Sequence, residues 1–483
     1  MGMLAACGPQ DDVLTTDPGA RLGYSTDTLR FDTVFTDVRT ATRRLLIRNP
    51  NDRALNIDVV ELGEKAGPFR IIVNGQPGPV VRDLRLRGGD SLLVLVEATL
   101  DVSRSDRPLV VEDELLVVSN GRSDRVVLEA WGQDGVYLQD SLGCSGGDLV
   151  WTDDKPYVLS GLVNLLPGCT LRVEPGTEVY MRAGAVLLVQ GTLEILGTPE
   201  ALVTFTGTRD FTGAADKVRY ENQPNQWEGI VFVNGSTGNR IDFADIRNGN
   251  RGVQVGIPGL EGDVDLIISN TLVANMATNT LWAFNPTFLT AYNNLFLNGG
   301  ERNVAGLQGG TYTFIHNTMA YTNTLGFVRQ EPSVVFTDFF EDQAAQVVYQ
   351  SPFDLLMVSN VVSGSNDNEL QMAFSLENPR AAIVRNVVTL RDTSLVPFLG
   401  WTTENRTQPR AFDFNAPADF DFRIDSLNSA QSPALGWGLP AAGGVFRPDA
   451  GRHQVSDVDL ATDFLAEPRD LTQPDAGAIE VSP

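Results

Sequence analysis

Between Leu165 and Gly207 the chain alternates very short apolar runs with glycine or Pro-Gly turns. Leu171 and Val173 are followed by Val186 to Val189, then Leu193 and Ile195, then Val203 and Phe205. Strands of only about three to five residues cannot stand alone and must stack on copies of themselves. The pattern predicts a parallel β-helix whose coils repeat about every twenty to thirty residues.

Upstream, from about residue 24 to 131, the rhythm is a period-two alternation broken by turns. "ALNIDVVEL" directs Leu55, Ile57 and Val59 to one face, and "SLLVLVEATL" predicts a buried strand after the turn glycines Gly88 and Gly89. "ELLVVSNGRSDRVVLEAW" predicts a hairpin with Asn120-Gly121 at its tip. About seven such strands in roughly 110 residues argue for a small antiparallel sandwich. The expected fold is therefore all-β: a sandwich over 24–136 and a solenoid over 137–483 that ends in a capping segment. The boundary falls near "WGQDGVYLQD", where the rhythm changes.

Downstream, an Asn or Asp followed by an apolar residue or Thr recurs at Asp245, Asn270, Asn294, Asn317, Asn360 and Asn386. The gaps are 25, 24, 23, 43 and 26 residues, so the longest holds either a coil without the motif or an insertion. Asparagine tolerates the left-handed backbone of a tight corner, and its amide can bond the next asparagine up a stack. These six residues read as an internal structural ladder, since stacking requires the coil period and catalysis does not.

With these features on the page, the chain resembles the right-handed parallel β-helix lipoproteins of Bacteroidota. "TLRVEPGTEVYMRAGAVLLVQGTLEILGTPEALVTFTG" is similar to their entry coils, and "NQWEGIVFVNGSTGNRIDFADIRNGNRGVQV" to the Trp-x-Gly-Ile coil that follows. "VVSGSNDNEL", "SPALGWG" and "PDAGAIE" are similar to features near the end of such chains. The stretch from Asp27 to Ile57 resembles the Ig-like domains of bacterial surface proteins. The resemblance implies fold more than activity, because the fold hosts lyases, hydrolases, adhesins and scaffolds.

At the start of the chain, "MLAACG" resembles the lipobox of bacterial lipoproteins and marks Cys7 as the lipidation site. Residues 1–23 then read as a signal remnant followed by a polar tether, "GPQDDVLTTDPGA". Asp11 and Asp12 resemble the acidic export signal of surface-exposed lipoproteins in Bacteroidota. A lipid-anchored, outer-membrane and cell-surface location is what this implies. The other cysteines, Cys144 and Cys169, read either as a disulfide in an oxidising envelope or as two buried thiols.

Composition narrows the functions. Hydrophobic residues make up 42%, and the 46 glycines and 26 prolines are spread as many turns. With 36 basic against 61 acidic residues, the net charge of −25 repels phosphate backbones, which argues against nucleic-acid binding. No apolar run reaches the length of a transmembrane helix.

Candidate chemistry is sparse. A β-helix lyase needs a base and a cation, yet the histidines are His316 and His453 alone, and Lys65, Lys155 and Lys217 are scattered. A hydrolase needs paired carboxylates, for which Asp263, Asp265, Asp338, Glu341, Asp342, Asp367 and Glu369 are the candidates. In so acidic a chain these acids read first as solvated turn residues. "SNDNEL" lacks the turn glycine and distal glutamate of a calcium loop. The expectation is no catalytic residue, no metal and no cofactor. Sugar faces stack on aromatic rings, and Trp227, Trp282, Tyr292, Tyr312, Phe339 and Phe340 are the candidates on the coils. The favoured reading is a non-catalytic surface lipoprotein whose β-helix binds glycan or protein. The alternatives are a carbohydrate-active lyase or hydrolase, and an accessory lipoprotein subunit of an outer-membrane protein complex.

Overall fold

A computed structural model of the chain describes residues 13–480 apart from 16, 18, 36–41, 100–108, 134, 146, 209–221, 261, 323–328, 397–403, 413, 418–420, 425–431, 441–454, 456–458 and 471. Cys7, Asp11, Asp12, Lys217 and His453 lie outside the described residues. The fold is all-β and divides into two compact units, one running to Gly135 and one beginning at Val136.

The first unit is built from two five-stranded sheets. Their inner faces share one core, in which Leu45, Ile47, Ile71 and Val94 of one sheet meet Ile57, Val60, Leu115 and Val126 of the other. Asn120 and Gly121 both adopt positive φ (51° and 74°) and join Leu109–Ser119 to Arg122–Gln133 with Ser119 opposite Arg122. Such a two-residue turn matches the twist of the strands it connects, and glycine takes the second position without a Cβ penalty.

Two details depart from the sequence reading. Thr28–Phe35 pairs parallel, not antiparallel, with Arg122–Gln133; strands from opposite ends of a unit have a connection long enough to permit this. A register shift between Ile57 and Val59 turns Val60 and Leu62 inward, so the Leu55–Leu62 face is not a simple alternation. Ser91–Ala98 does alternate: Leu92, Val94, Val96 and Ala98 point in, and Leu93 stays 37% exposed.

The second unit contains three long parallel sheets. Sheet 1 has eleven strands from Val136–Leu138 to Arg406–Gln408; sheet 2 has nine, from Leu149–Trp151 to Arg380–Val384; sheet 3 has eight, from Leu162–Leu165 to Leu370–Ala373. From Leu162 to Thr389 the chain visits the sheets in a fixed rotation, 3, 2, 1, and each strand pairs with its counterpart one turn later. This topology is consistent with a β-helix solenoid. Inward side chains form continuous columns; in sheet 2 one runs Val173, Ile195, Ile241, Ile268, Ala291, Phe314, Met357 and Ile383. All are buried, so each coil completes the core of its neighbours.

At the entry, Cys144 and Cys169 are bonded (S–S 2.10 Å), tying the segment before Leu149 to the next turn. After Gln408 the chain runs along the outside of the coils. Phe422, Phe464 and Ile479 cover Leu272, Leu295 and Leu297 outside sheet 1. Leu439, Val455 and Leu460 cover Tyr292, Ile315 and Val358 outside sheet 2.

The polar ladder exists but in a different register from the expected one. Asn294 Nδ2 donates to Asn317 Oδ1, Asn317 Nδ2 to Asn360 Oδ1, Asn360 Nδ2 to Asn386 Oδ1 and Asn386 Nδ2 to Asn405 Oδ1, each at 2.9 Å. Below Asn294 the column continues through Thr271, whose N–H donates to Asn294 Oδ1, and not through Asn270. Asp245 is not a rung either: it is a sheet 1 residue opposite Leu272 whose carboxylate is gripped by Arg247. The 43-residue gap is an insertion within one coil, since Asn317 bonds Asn360 directly.

The corner conformation also belongs elsewhere. Positive φ falls on the residue before each rung from Thr271 to Asn386, namely Asn270, Asn293, His316, Ser359 and Arg385, and on Phe243 one coil lower, before Ala244, whose N–H donates to Thr271 Oγ1. The rungs themselves are absent from the left-handed region. Asn270 and Asn293 form a partial second column beside the first, with Asn293 Nδ2 donating to Asn270 Oδ1.

Candidate functional site

Rotation through the three sheets gives the stacked coils three outward faces. The chain's own C-terminal segment packs on part of the first two. In register along the outward face of sheet 3 stand Gln254, Trp282, Ala305, Val335 and Gln371. Their neighbours on each strand, such as Val253, Leu281 and Ala283, point into the core, as pleating requires. Ala305 and Val335 lie deep (1% and 9% exposed), whereas Trp282 and Gln371 are half-exposed at either end. Rungs at about 4.8 Å put those two residues roughly 14 Å apart, with two buried side chains between them.

One border of this row is aromatic. The Trp282 ring lies 5.0 Å from Phe284, and Phe284 lies edge-on to Phe340 at 5.1 Å. Phe340 belongs to a two-stranded hairpin, Phe339–Asp342 with Val347–Gln350, inserted between a sheet 3 and a sheet 2 strand. The other border is polar. Arg251 donates to Gln254 Oε1 at 2.6 Å and sits 3.9 Å from Glu228, while Arg302 pairs with Glu331 at 2.7 Å.

Beneath the polar border runs a buried rail. Thr280 donates to the Asn303 carbonyl, Asn303 Nδ2 to Ser333 Oγ, and the Ser333 N–H to Glu369. Glu369 also takes the Asn366 N–H and pairs with Arg329, both side chains being fully buried. Burial pushes the Glu369 carboxyl up, and the Arg329 guanidinium beside it pulls back the other way. Arg329 in turn stacks over Tyr321 at 4.8 Å. This rail holds the starts of the sheet 3 strands together and is structural in its chemistry.

The sequence candidates separate by position. Of the six aromatic residues, Trp227, Tyr292 and Tyr312 are core; Trp227 donates its indole N–H to the Arg247 carbonyl. Trp282, Phe339 and Phe340 are half-exposed, and Trp282 and Phe340 meet through Phe284. Of the candidate acids, all but Glu341 serve the backbone or a partner. Asp265 accepts the Asn239 N–H, Asp338 the Ser375 and Leu376 N–H groups, Asp342 those of Ala344 and Ala345, and Asp263 the Thr287 hydroxyl. Asp367 pairs with Arg391. His316 is 2% exposed, and burial followed by the nearby Arg469 charge lowers its pKa well below the usual histidine value, keeping the ring neutral. Among the described residues no group of three or more His, Cys, Asp or Glu side chains could hold a metal ion.

Gln254 and Gln371 were missed by sequence reasoning. Nothing in a lone glutamine signals a site; only the parallel register brings these two onto one face with Trp282. Gln254 is 5% exposed, with Nε2 donating to the Gly256 carbonyl and Oε1 accepting from Arg251, so the groups this face offers a flat or pyranose-like ring are the Trp282 indole and the Gln371 amide.

No protein-family model matches the chain, and no curated protein matches it. Among solved structures, it is similar to a Porphyromonas gingivalis W83 protein of unknown function at 15% identity and a TM-score of 0.19, over 25% of this chain and 59% of that one. It is also similar to a family 123 glycoside hydrolase from Clostridium perfringens at 10% identity and a TM-score of 0.18, over 26% of each chain. A third is the Pseudomonas fluorescens alkylpurine DNA glycosylase AlkC, at 12% identity and a TM-score of 0.16, over 24% of this chain and 31% of that one.

Proposed function

We propose that this protein is a non-catalytic cell-surface lipoprotein: Cys7 carries the lipid, an Ig-like sandwich follows the tether, and a right-handed parallel β-helix binds glycan on the outward face of sheet 3. The observation that carries the binding reading is Trp282, a half-buried indole on the outward column of a regular sheet, next in register to Gln254 and three rungs from Gln371. A large ring in the middle of a solvent-side column gives up burial that the fold could otherwise have used, which marks it as a contact surface. The right-handed sense rests on the strong preference of parallel crossovers for that hand. The non-catalytic reading rests on the candidate acids, all of which except Glu341 are engaged in turns and ion pairs.

The test uses the full chain against a panel of neutral and acidic polysaccharides, with binding measured by calorimetry and products by reducing-end assay. Trp282→Ala should weaken binding of any glycan ligand at least tenfold at temperatures where the variant is fully folded, and no new chain ends should appear; the loss of its packing on Phe284 lowers melting modestly. Equal binding by the variant, or turnover by the wild type, overturns the reading. For the anchor, Cys7→Ser behind a complete signal peptide should move the protein out of the membrane fraction.

A further inference from the structure

The two sheets of the first unit differ in what they turn outward. In the strands Arg43–Arg48, Ser91–Ala98 and Phe69–Val73, Leu45, Ile47, Leu92, Val94, Val96 and Ile71 point into the core, so the residues alternating with them point out. Cross-strand register sets these outward residues side by side. Leu46 stands opposite Leu93, and Leu95, the next outward residue on that strand, stands opposite Ile72. The four form one contiguous apolar group centred on the middle strand of the three, with Leu93 exposed and the others half-buried.

Arginines border the group. Arg44 lies opposite Leu95, Arg48 is the next outward residue after Leu46, and Arg70 is the one before Ile72. All three are exposed, and among the described residues none has an ion-pair partner or a side-chain hydrogen bond. The acid on these three strands' outward face is Glu97, opposite Arg70; it is half-buried and accepts the Thr42 hydroxyl. On the other sheet the cations are neutralised: Arg30 pairs with Glu129, Lys65 with Glu61 and Arg125 with Glu114. Residues 13–135 hold 16 of the 36 basic residues but only 19 of the 61 acidic ones, so this unit is close to neutral in a strongly acidic chain.

We infer that this face docks on an anionic phospholipid surface, with Leu46, Leu93, Leu95 and Ile72 at the acyl–headgroup boundary and Arg44, Arg48 and Arg70 on headgroup phosphates. An apolar patch rimmed by polar groups marks a contact site. A guanidinium matches phosphate oxygens as a bidentate fork, and its stem lies along apolar surface while the head reaches out. The shape selects a membrane over a polypeptide. Peptides dock in grooves or add to a strand edge, whereas this group sits on a sheet interior whose middle strand is paired on both sides. A second copy would set arginine against arginine. Charges beyond about 10 Å are screened at about 0.1 M salt, so contact is governed by the charge of the face and not by the net −25. The inference concerns the folded face alone and stands whether or not Cys7 is acylated.

The probe is a vesicle of equal parts phosphatidylglycerol and phosphatidylcholine, compared by co-sedimentation with one of phosphatidylcholine alone. The protein is the full chain carrying Cys7→Ser, so that no acyl group contributes. Binding to the anionic vesicle should exceed binding to the zwitterionic one at least tenfold and weaken with added salt. Each arginine near an anionic surface contributes about fivefold. Arg44→Gln/Arg48→Gln/Arg70→Gln should therefore lower binding at least tenfold with melting unchanged. Leu93→Ser/Leu95→Ser, measured below its melting temperature, should also weaken it, which a purely electrostatic contact would not show. Arg30→Gln/Arg125→Gln on the other sheet should leave it unchanged. Equal binding to both vesicles, full binding by the arginine or the leucine variant, or an equal loss in the other-sheet variant overturns the inference. So does displacement of the vesicles by a soluble leucine–glutamate peptide, which would make the occupant a polypeptide, or self-association that Leu93→Ser/Leu95→Ser abolishes.

Discussion

Asn294 makes five hydrogen bonds with no exposure to water, one of them from the Thr318 N–H to its carbonyl. Its Oδ1 accepts from Thr271, its N–H and Nδ2 both reach Asn317 Oδ1, and Nδ2 also reaches the Ile268 carbonyl. Asn294→Leu strands the Thr271 N–H and the Ile268 carbonyl, at about 1 to 3 kcal/mol for each group. The variant should melt well below wild type while binding persists at low temperature; wild-type melting would mean that the column is not structural. No backbone strain contributes, because the left-handed residue is Asn293 (φ 54°).

A titratable residue on the same side gives an independent check. Glu480 accepts from Arg469 at 3.1 Å, and burial raises its carboxyl from 4.5 to about 7 against the opposing Arg469 charge. Since the folded value is the higher one, the stability it contributes is fully present below about 4.5 and is lost as pH rises through about 7. His316 works the other way, its lowered value costing stability as pH falls below 6.5. Comparing Glu480→Gln with wild type isolates the first effect: the variant should lack that decline between about 4.5 and 7, and an identical melting profile would refute the assignment.

At the scale of elements, the segment after Gln408 is held by a few concentrated contacts. The Trp437 ring lies 4.4 Å from the Arg385 guanidinium and 3.8 Å from that of Arg406. Arg406 also donates to the Pro433 carbonyl, and Gly477 N–H to that of Ser359. Cation–π pairs of this kind contribute about 0.5 to 2 kcal/mol each. Trp437→Ala should therefore loosen the segment before the coils melt, seen as faster proteolysis after Gln408 and as dye binding to the uncovered Ile315 and Val358. Simultaneous loss of coils and segment in one transition would show the segment to be part of the solenoid core. The sequence showed only "SPALGWG" and "PDAGAIE" as end features; that they lie along two sheets depended on which outward positions were apolar.

On the scale of the whole molecule, the first unit has its own core, drawn from Leu29 to Ala130. Residues 13–135 expressed alone should unfold cooperatively in urea with dispersed β-sheet NMR shifts; a molten fragment would show that its core is incomplete. The all-β class, the hairpin at Asn120-Gly121 and the short stacked strands were legible in the sequence, because alternation, turn chemistry and run length act over a few residues. Register was not. A coil spacing of about 23 fixes the period but not which of two adjacent residues forms the rung, so Asn270 and Asp245 looked equivalent to Asn294 and Thr271 did not. Asn405, followed by Arg406, escaped the pattern although it closes the column. The outward row around Trp282 was decided only in three dimensions, since it gathers residues from several coils through parallel pairing. Local physics writes the strands and turns into the chain; the surfaces arise from which coil lands beside which, and that is set by packing across the whole stack.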